Sequence, residues 1–268
     1  HPQQGRVGPY ETGVFHAKGL RPTMEDEHVT ASFTLDIQGK KYPIQLFGIC
    51  DGHGGPDVSK FVKQHLASEL SAALKEHNPN GLTDEGIWNA IKMACVSLDK
   101  KIPSNWAGQG STGTFAMILD EKLWTGNVGD SRTVLDRAGT PVQLSEDAKP
   151  DDAAYEKGIL NRDGVVVDGL PPRVNGILAV ARAFGDHGLN GAVSARPKIT
   201  MVPLKAIPKD SHLVLCCDGV WDIGSTAQVV KAVRANRNES PATLARNIVY
   251  SSLRAGSTDN LSAMVVKL

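Results

Sequence analysis

Residues 44–55 read IQLFGICDGHGG, an apolar run followed directly by an acidic, glycine-rich segment. A similar run, HLVLCC at 212–217, leads into Asp218-Gly219, and Asp259-Asn260 directly precedes a third run, LSAMVV at 261–266. Short apolar runs bounded by turn residues predict buried strands. Carboxylates at strand ends have rigid supports, so we expect them to face a common rim, where oxygen ligands bind hard divalent cations.

Two further acidic segments add to these carboxylates, namely the turn Gly129-Asp130-Ser131-Arg132 and the pair Glu25-Asp26. One Asp-Gly after an apolar run is usually only a turn. Its recurrence favours a shared site, because so many like charges that meet in space need metal ions to neutralise them. We expect Asp51 to bridge two cations. We expect the Gly52 carbonyl to be able to act as a further ligand, because glycine permits the backbone torsions that this requires.

Strands and helices come in groups along the chain. Residues 28–35 place apolar side chains at every second position, which predicts a half-buried strand. Apolar stripes of helical period predict paired helices, with Thr83 as a cap. The predicted helices are Asp57–Leu74, Asp84–Ile102, Asp151–Arg162, Thr226–Asn236 and Pro241–Leu253. Because strands cluster and helices pair, the pattern indicates an α+β fold, not strict βαβ alternation, and we expect a single domain over residues 1–268.

Composition and charge argue against several classes of partner. The chain has 268 residues, 29 basic and 29 acidic, with a formal net charge of +0. This balance gives no reason to expect nucleic acid or an anionic membrane as a partner. No apolar stretch reaches the roughly 18 residues of a spanning helix, and a monomer is the default expectation. The chain begins at His1 and not at methionine, which is typical of a processed protein.

The four cysteines are Cys50, Cys95, Cys216 and Cys217, all in apolar runs. The vicinal pair should point to opposite faces of one strand, which makes the two thiols poor disulfide partners. We therefore expect buried, reduced thiols and a cytoplasmic or other reducing compartment.

Several familiar motifs are absent or misleading. Residues 108–113 match Gly-x-Gly-x-x-Gly, but a strand-like run follows them where a dinucleotide-binding motif needs a helix. No cysteine has an arginine six residues later, so a thiol-nucleophile phosphatase loop is absent. The sequence also has no P-loop and no His-Glu-x-x-His zinc motif. Among the histidines only His53 lies in a motif, and we interpret the others as surface or core residues.

Arg21 precedes the pair Glu25-Asp26 by four residues. One interpretation is a surface ion pair, which contributes little to stability. The other is a guanidinium that grips phosphate beside Glu25 as a residue of the metal shell.

Seven segments spread along the chain carry a family resemblance. They are Arg21–Asp26, Asp51–Gly55, Gly110-Ser111-Thr112, Gly129–Arg132, Arg173–Asp186 (RVNGILAVARAFGD), Cys217–Asp222 (CDGVWD) and Ser257–Ser262 (STDNLS). In this order the segments resemble the metal-dependent protein phosphatases of the 2C family. The resemblance implies a four-layer α-β-β-α sandwich, with two central antiparallel sheets flanked by helix pairs. It also implies hydrolysis of phosphoserine and phosphothreonine in phosphoprotein substrates.

The resemblance further implies two Mg²⁺ or Mn²⁺ ions and a third, weaker ion. The implied ligands are Asp51 as the bridge, Asp218 and Asp259 on the first ion, the Gly52 carbonyl and Glu25 (through water) on the second, and Asp130 and Asp222 with Asp218 on the third.

Catalytic roles follow from the same resemblance. Arg21 resembles the phosphate-binding arginine, His53 the proton donor to the leaving seryl or threonyl oxygen, and Asp26 a residue that orients metal-bound water. Asn260 and Thr112 match family positions near the metals. The implied mechanism is in-line attack by a hydroxide that bridges the two ions, without a phosphoenzyme.

Residues from about 150 to 176 correspond to the family's variable flap, which is implied to help choose substrates. This flap has no tryptophan, so we expect no hormone-receptor partner. Two rival interpretations remain open: a catalytically weak relative that acts as a binding scaffold, and a two-metal hydrolase of a small phosphoester or nucleotide.

Overall fold

The computed structural model describes residues 2–268. Its α-helices are α1 (Asp57–His77), α2 (Asp84–Lys100), α3 (Ala153–Asn161), α4 (Asp218–Trp221), α5 (Thr226–Ala235) and α6 (Pro241–Arg254). Its strands are β1 (Gln3–Val7), β2 (Tyr10–Ala17), β3 (Asp26–Ile37), β4 (Lys40–His53), β5 (Gly110–Ser111), β6 (Gly113–Leu119), β7 (Lys122–Val128), β8 (Arg132–Arg137), β9 (Thr140–Gln143), β10 (Val166–Val167), β11 (Arg173–Val174), β12 (Phe184–Gly185), β13 (Lys198–Pro203), β14 (His212–Cys216) and β15 (Leu261–Lys267).

Two large antiparallel sheets form the centre of the molecule. The first has six strands in the order β1-β2-β15-β14-β8-β9. The second has the order β12-β5-β4-β6-β7-β13, with β3 paired on β4 as its seventh strand. The small hairpin of β10 and β11 stands apart from both sheets. Strands that are close in sequence pair through short turns, which is the antiparallel clustering that the sequence predicts.

The two sheets stack face to face, and helices cover both outer faces. Between the sheets, Phe47 and Ile49 of β4 pack in one cluster with Leu213 and Leu215 of β14. Helices α1 and α2 pack on the outer face of the second sheet, and α5 and α6 pack on that of the first. The predicted α+β fold with a four-layer α-β-β-α order is therefore confirmed.

The vicinal cysteines follow the strand alternation. Cys216 faces the layer of α5 and α6, whereas Cys217 faces the space between the sheets. All four cysteines are buried and free, as the sequence predicts.

Two of the predicted acidic turns are instead regular secondary structure. Strand β4 continues to His53, because Asp51 pairs with Asp26 of β3 and the next two residues pair with β5. The chain turns only at residues 54–56, and Asp218 begins the one-turn helix α4. The turn prediction was wrong here because pairing with distant strands overrides the weak strand propensity of Asp and Gly.

Four of the five predicted helices begin at the predicted residue, and the C-terminal ends of all five differ from the predicted ends by one to three residues. Helix α1 continues past Leu74 to His77, and Asn78 then ends it by donating its side-chain amide to the Leu74 carbonyl at 2.9 Å. The Thr83 hydroxyl accepts a hydrogen bond from the Gly86 amide at 2.9 Å, which confirms the predicted cap. Strand β1 was not predicted, because four of its five residues are exposed and the strand lies at a sheet edge.

We expect Gly13→Ala to destabilise the protein, because β2 and α6 touch at Gly13. A Cβ at this position would lie 1.9 Å from the Ala242 amide nitrogen and 2.3 Å from its Cα. Backbone atoms cannot move aside as a side chain can, so we expect a loss of about 1–3 kcal/mol or more in the free energy of unfolding. Urea titration measures this loss. Gly5→Ala is the matched control, since nothing lies within 4 Å of that Cβ; equal losses in both variants would contradict the packing argument.

Candidate metal centre

A cavity of about 440 Å³ opens near the end of β4, the end of β14 and the start of β15. Most of the predicted site residues line it: Arg21, Glu25, Asp51, Gly52, His53, Thr112, Asp130, Asp218, Asp259 and Asn260. Asp26 and Asp222 are predicted site residues that lie outside this lining. Residues from both ends of the chain thus meet in one place.

Strand pairing explains why the carboxylates meet. Strands β14 and β15 are antiparallel, with Cys216 opposite Ala263. Asp218, just after β14, and Asp259, just before β15, therefore lie at the same end of the first sheet. Asp51 comes from the second sheet, which is stacked on the first. The site consequently depends on the packing of the two sheets and not on any single motif.

The centre of the site is a partly buried cluster of like charges. Ligand atoms of Asp51, Cys217 and Asp218 all lie within 4.8 Å of one another. Burial, followed by repulsion from neighbouring carboxylates, raises the pKa of Asp51 and of Asp218 well above the ordinary value. One oxygen of Asp218 and one of Asp26 are buried without a hydrogen-bond partner. Such groups are costly unless a positive charge or a proton compensates them.

This cluster fits divalent cations with a preference for oxygen ligands. The unpartnered carboxylate oxygens supply hard donors. The Cys217 thiol is already engaged, because it donates to the Asn260 carbonyl at 3.4 Å and accepts from the Ser262 amide at 3.3 Å. Burial raises the pKa of Cys217 well above its usual value, so the thiol stays protonated. The donors that remain are oxygen atoms, a set that suits hard divalent cations and not a thiolate–zinc site.

Gly52 matters because it has no side chain, not because its backbone torsions are unusual. It lies in the extended strand β4 and is not among the residues with positive φ. A Cβ there would lie 2.5 Å from the Glu25 carbonyl oxygen and 2.8 Å from the Ser59 hydroxyl. The expectation that glycine is required for its torsions was wrong; glycine is required because the Glu25 backbone approaches so closely.

Arg21 pairs with a carboxylate that the sequence did not suggest. Its Nε lies 3.3 Å from an oxygen of Asp259, and its side chain remains 60% exposed. The i,i+4 ion pair between Arg21 and Glu25 is therefore not the arrangement found. The guanidinium stands at the mouth of the cavity, where an incoming anion can reach it.

Asn260 and Thr112 hold backbone segments in place around the cavity. The Asn260 amide donates to the carbonyls of Lys18 and Thr23 at 2.8 and 3.0 Å, and its oxygen accepts from the Glu25 amide at 3.0 Å. These bonds fix the loop that carries the site arginine. The Thr112 hydroxyl accepts from the Asp51 amide at 3.2 Å. Both residues act through the backbone, a role that the sequence pattern did not specify.

Asp130 already has a cationic partner in the chain. The Lys149 ammonium lies 2.7 Å from its carboxylate, and burial raises the pKa of Asp130. Asp222 directly follows α4, and its amide donates to the Asp218 carbonyl at 2.8 Å. The two side chains are thus one helical turn apart and lie on the same side of it. The residues implied for the third ion thus lie near the cavity. The Lys149 ammonium already offsets part of their negative charge and would compete with a cation for Asp130.

A chain of hydrogen bonds supports Asp26 from below the cavity. The Ser262 hydroxyl donates to Asp26 at 2.6 Å and lies 2.7 Å from a ring nitrogen of His16. The other ring nitrogen of His16 lies 2.8 Å from His28. Burial lowers the pKa of His16 to about 4, so this ring is neutral at pH 7. No sequence spacing links these residues, and strand pairing alone brings them together.

His53 also has a partner that the sequence did not predict. Its Nε2 lies 2.7 Å from an oxygen of Asp186. Burial alone would lower the pKa of His53, but the hydrogen bond and charge of Asp186 raise it above the usual value. The signal available in the sequence was a second Gly-Asp dipeptide, at 185–186, within one of the family-like segments.

We expect the metal-free protein to lose stability as the pH rises through 7. Burial raises the pKa of Asp26 to about 7, against about 3.9 in an unfolded chain. The folded state therefore binds this proton more tightly, and its contribution to stability is complete below about pH 4 and is lost as the pH passes 7. Asp51 and Asp218 act in the same direction.

The lowered pKa of His16 acts in the opposite direction, between about 4 and 6.5. The measurement is therefore the melting temperature in EDTA between pH 7 and 8.5, where His16 is neutral in the folded state and largely neutral in the unfolded chain. We expect a fall across this range and its reversal by Mn²⁺. A melting temperature that rises with pH in EDTA would contradict the charge cluster.

The fold and the site together define a class of protein. It is a two-sheet α+β sandwich with an acidic cavity, suited to divalent cations, at one edge of the sheets. A family model described as Protein phosphatase 2C matches residues 10–261. The chain belongs to the protein phosphatase 2C family. Among residues 2–268, no helix combines the length and the apolar character needed to span a membrane.

Curated relatives agree with this assignment. The chain is 33% identical over 262 residues to "Probable protein phosphatase 2C 76" of Arabidopsis thaliana, covering 97% of this chain and 59% of the relative. It is 35% identical over 269 residues to "Probable protein phosphatase 2C 7" of Oryza sativa subsp. japonica, covering 97% and 66%. The chain therefore spans roughly three fifths to two thirds of the length of these two relatives.

Solved structures share the fold. A serine-threonine phosphatase 2C from Toxoplasma gondii superposes with a TM-score of 0.77 at 21% identity, over 96% of this chain and 94% of that one. A sex determining protein of C. elegans gives a TM-score of 0.80 at 24% identity, over 95% and 64%. At this level of identity the likeness concerns the fold alone.

Proposed function

We propose that this chain hydrolyses phosphoserine and phosphothreonine in proteins with the help of divalent cations. The observation that carries the proposal is the half-buried Asp51–Asp218 pair. Among the described residues it has no positively charged partner of its own, and it lies in an open cavity that Arg21 and His53 also line. Membership of the protein phosphatase 2C family supports the same conclusion.

The proposed metal ligands follow the positions implied by the family resemblance. Asp51, Asp218 and Asp259 would hold one Mg²⁺ or Mn²⁺ ion, and Asp51, the Gly52 carbonyl and Glu25 a second. A third, weaker ion would use Asp130, Asp218 and Asp222. When bound, the ions would supply the charge that makes water nucleophilic at neutral pH and offsets the charge of the phosphoryl oxygens.

The remaining roles belong to the side chains around the cavity. Arg21 would exchange its Asp259 partner for phosphoryl oxygens, since a guanidinium binds both in the same way. Asp26, held by Ser262, would orient the attacking water. His53 would give a proton to the departing seryl or threonyl oxygen. Because the Cys217 thiol is buried and protonated, we propose direct attack by water, without a phosphoenzyme.

We further propose that residues 1–268 form one catalytic domain that acts as a monomer. Its flap, at about 150–176, contains α3 and the hairpin of β10 and β11. Arg173, within this flap, lines the cavity. This position next to the site supports a role of the flap in choosing phosphoprotein substrates.

The test is phosphate release from a phosphothreonine peptide, with EDTA, Mg²⁺ and Mn²⁺ in parallel and with nucleotides as alternative substrates. We expect release from the peptide that requires Mg²⁺ or Mn²⁺. Faster release from nucleotides would favour a hydrolase of small phosphoesters. No release from any substrate by folded, Mn²⁺-loaded protein would favour a binding scaffold and would overturn the proposal.

A further inference from the structure

His53 and Asp186 form a pair in which the carboxylate is buried and the imidazole is partly accessible. The two side chains meet at 2.7 Å between Nε2 and a carboxylate oxygen. The Asp186 side chain is only 7% exposed and lies outside the cavity lining, whereas that of His53 is 29% exposed and belongs to the lining. Asp186 therefore has no direct access to substrate, and any effect it has on the reaction must pass through His53.

Strand pairing holds this pair in register. His53 and Gly185 pair with Gly110 from opposite sides, at the end of the β4-β5-β12 row. Asp186 follows Gly185 in the left-handed region, with φ of 53°, and its amide donates to the Gln109 carbonyl at 2.8 Å. These backbone contacts fix where the Asp186 carboxylate points.

The pair also lies directly against the backbone of β5. A Cβ at Gly110 would lie 2.0 Å from the Asp186 oxygen and 2.5 Å from Nε2 of His53. The absence of a side chain at Gly110 is therefore what lets the imidazole and the carboxylate meet. The Asp186 carboxylate on one side and the β5 backbone on another limit the freedom of the imidazole to rotate away from its partner.

We propose that Asp186 is the positioning residue for His53, an inference that rests on the function proposed above. A carboxylate accepts hydrogen bonds, so it holds one proton of the His53 imidazolium on Nε2 and leaves the proton on Nδ1 as the one that serves the cavity. In the reaction, the oxygen of water bonds to phosphorus while the bond from phosphorus to the seryl or threonyl oxygen breaks. The leaving oxygen keeps the electron pair and takes the Nδ1 proton, and the proton that water loses returns to Nδ1 or to solvent.

This role predicts a dependence on the leaving group. A threonyl oxygen is a poor leaving group unless it receives a proton, whereas p-nitrophenolate is stable without one. Loss of the Asp186 carboxylate should therefore slow hydrolysis of a phosphothreonine peptide much more than hydrolysis of p-nitrophenyl phosphate. A general weakening of the site would slow both substrates alike.

The experiment compares kcat on both substrates for wild type and Asp186→Asn at saturating Mn²⁺. We expect kcat on the peptide to fall by roughly 10²-fold and kcat on p-nitrophenyl phosphate to change by less than about threefold, with KM unchanged. Asp186→Asn added to His53→Ala should cause no further loss on the peptide, because the two residues act as a unit. Equal losses on both substrates, or additive losses in the double variant, would overturn the inference.

Asp99→Asn is the matched control, since Asp99 also pairs with a histidine, His187, and holds the Gly185 amide at 2.7 Å. It loosens the same segment without removing the partner of His53, so its effect should not differ between the two substrates. If Asp186→Asn fails to fold, Gly110→Ala displaces the pair from the other side and should show the same discrimination. Wild-type protein inactive on both substrates would instead count against the proposed function itself.

Discussion

Asp218→Asn is expected to remove metal-dependent phosphatase activity without destabilising the metal-free fold. Asp218 has a buried oxygen with no hydrogen-bond partner and lies against Asp51. The amide keeps the shape but removes a charge that the proposed cations require. Metal binding supplies several kcal/mol of transition-state stabilisation, and 1.36 kcal/mol is tenfold in rate, so we expect a loss of about 10³-fold or more. Removing one of the crowded charges should leave the melting temperature in EDTA unchanged or higher.

Phosphate release and thermal melting, each with EDTA and with Mn²⁺, measure the two effects. Asp120→Asn is the control, because Asp120 is an exposed turn residue with φ of 52°, a conformation that asparagine tolerates well. We expect Mn²⁺ to raise the melting temperatures of wild type and of this control. The melting temperature of Asp218→Asn should rise much less. Activity that persists in Asp218→Asn would refute the metal assignment.

Asp136→Ala is expected to give the largest loss of stability. Asp136 is fully buried in β8, directly opposite His212 of β14, and accepts from its Nδ1 at 2.9 Å. It also accepts from the Gly139 amide at 2.7 Å, and Arg234 lies 3.5 Å away. Truncation leaves the ring of His212, a residue that is 1% exposed, unpaired in the interior, and the loss of a buried ionic partner typically costs about 3–5 kcal/mol. Urea unfolding measures the loss.

Asp36 offers a matched control on the surface of the second sheet. It accepts from the Gly39 amide at 2.9 Å and pairs with Lys41 at 2.9 Å, which repeats the hairpin geometry of Asp136 without burial. We expect Asp36→Ala to change stability far less, because water replaces the lost partners. Equal losses in the free energy of unfolding of the two variants would show that burial of the Asp136 cluster adds nothing to the stability of the protein.

Local pattern was sufficient for most of the fold. The runs at 212–217 and 261–266 predicted β14 and β15 almost to the residue, because central strands need nearly continuous apolar sequence. The exposed β1 and the extension of β4 to His53 were missed. Their residues have no apolar periodicity, and only pairing with neighbouring strands makes them extended.

The sequence by itself determined the α+β class, the family and which residue types could form the site, because these depend on composition and on short motifs in order. Only the tertiary structure decided which side chains touch. Asp186 meets His53, and Ser262 meets Asp26, across 133 and 236 positions of the chain. Such contacts depend on strand register and on how two sheets stack, and a shift of one residue in register would turn each side chain to the opposite face.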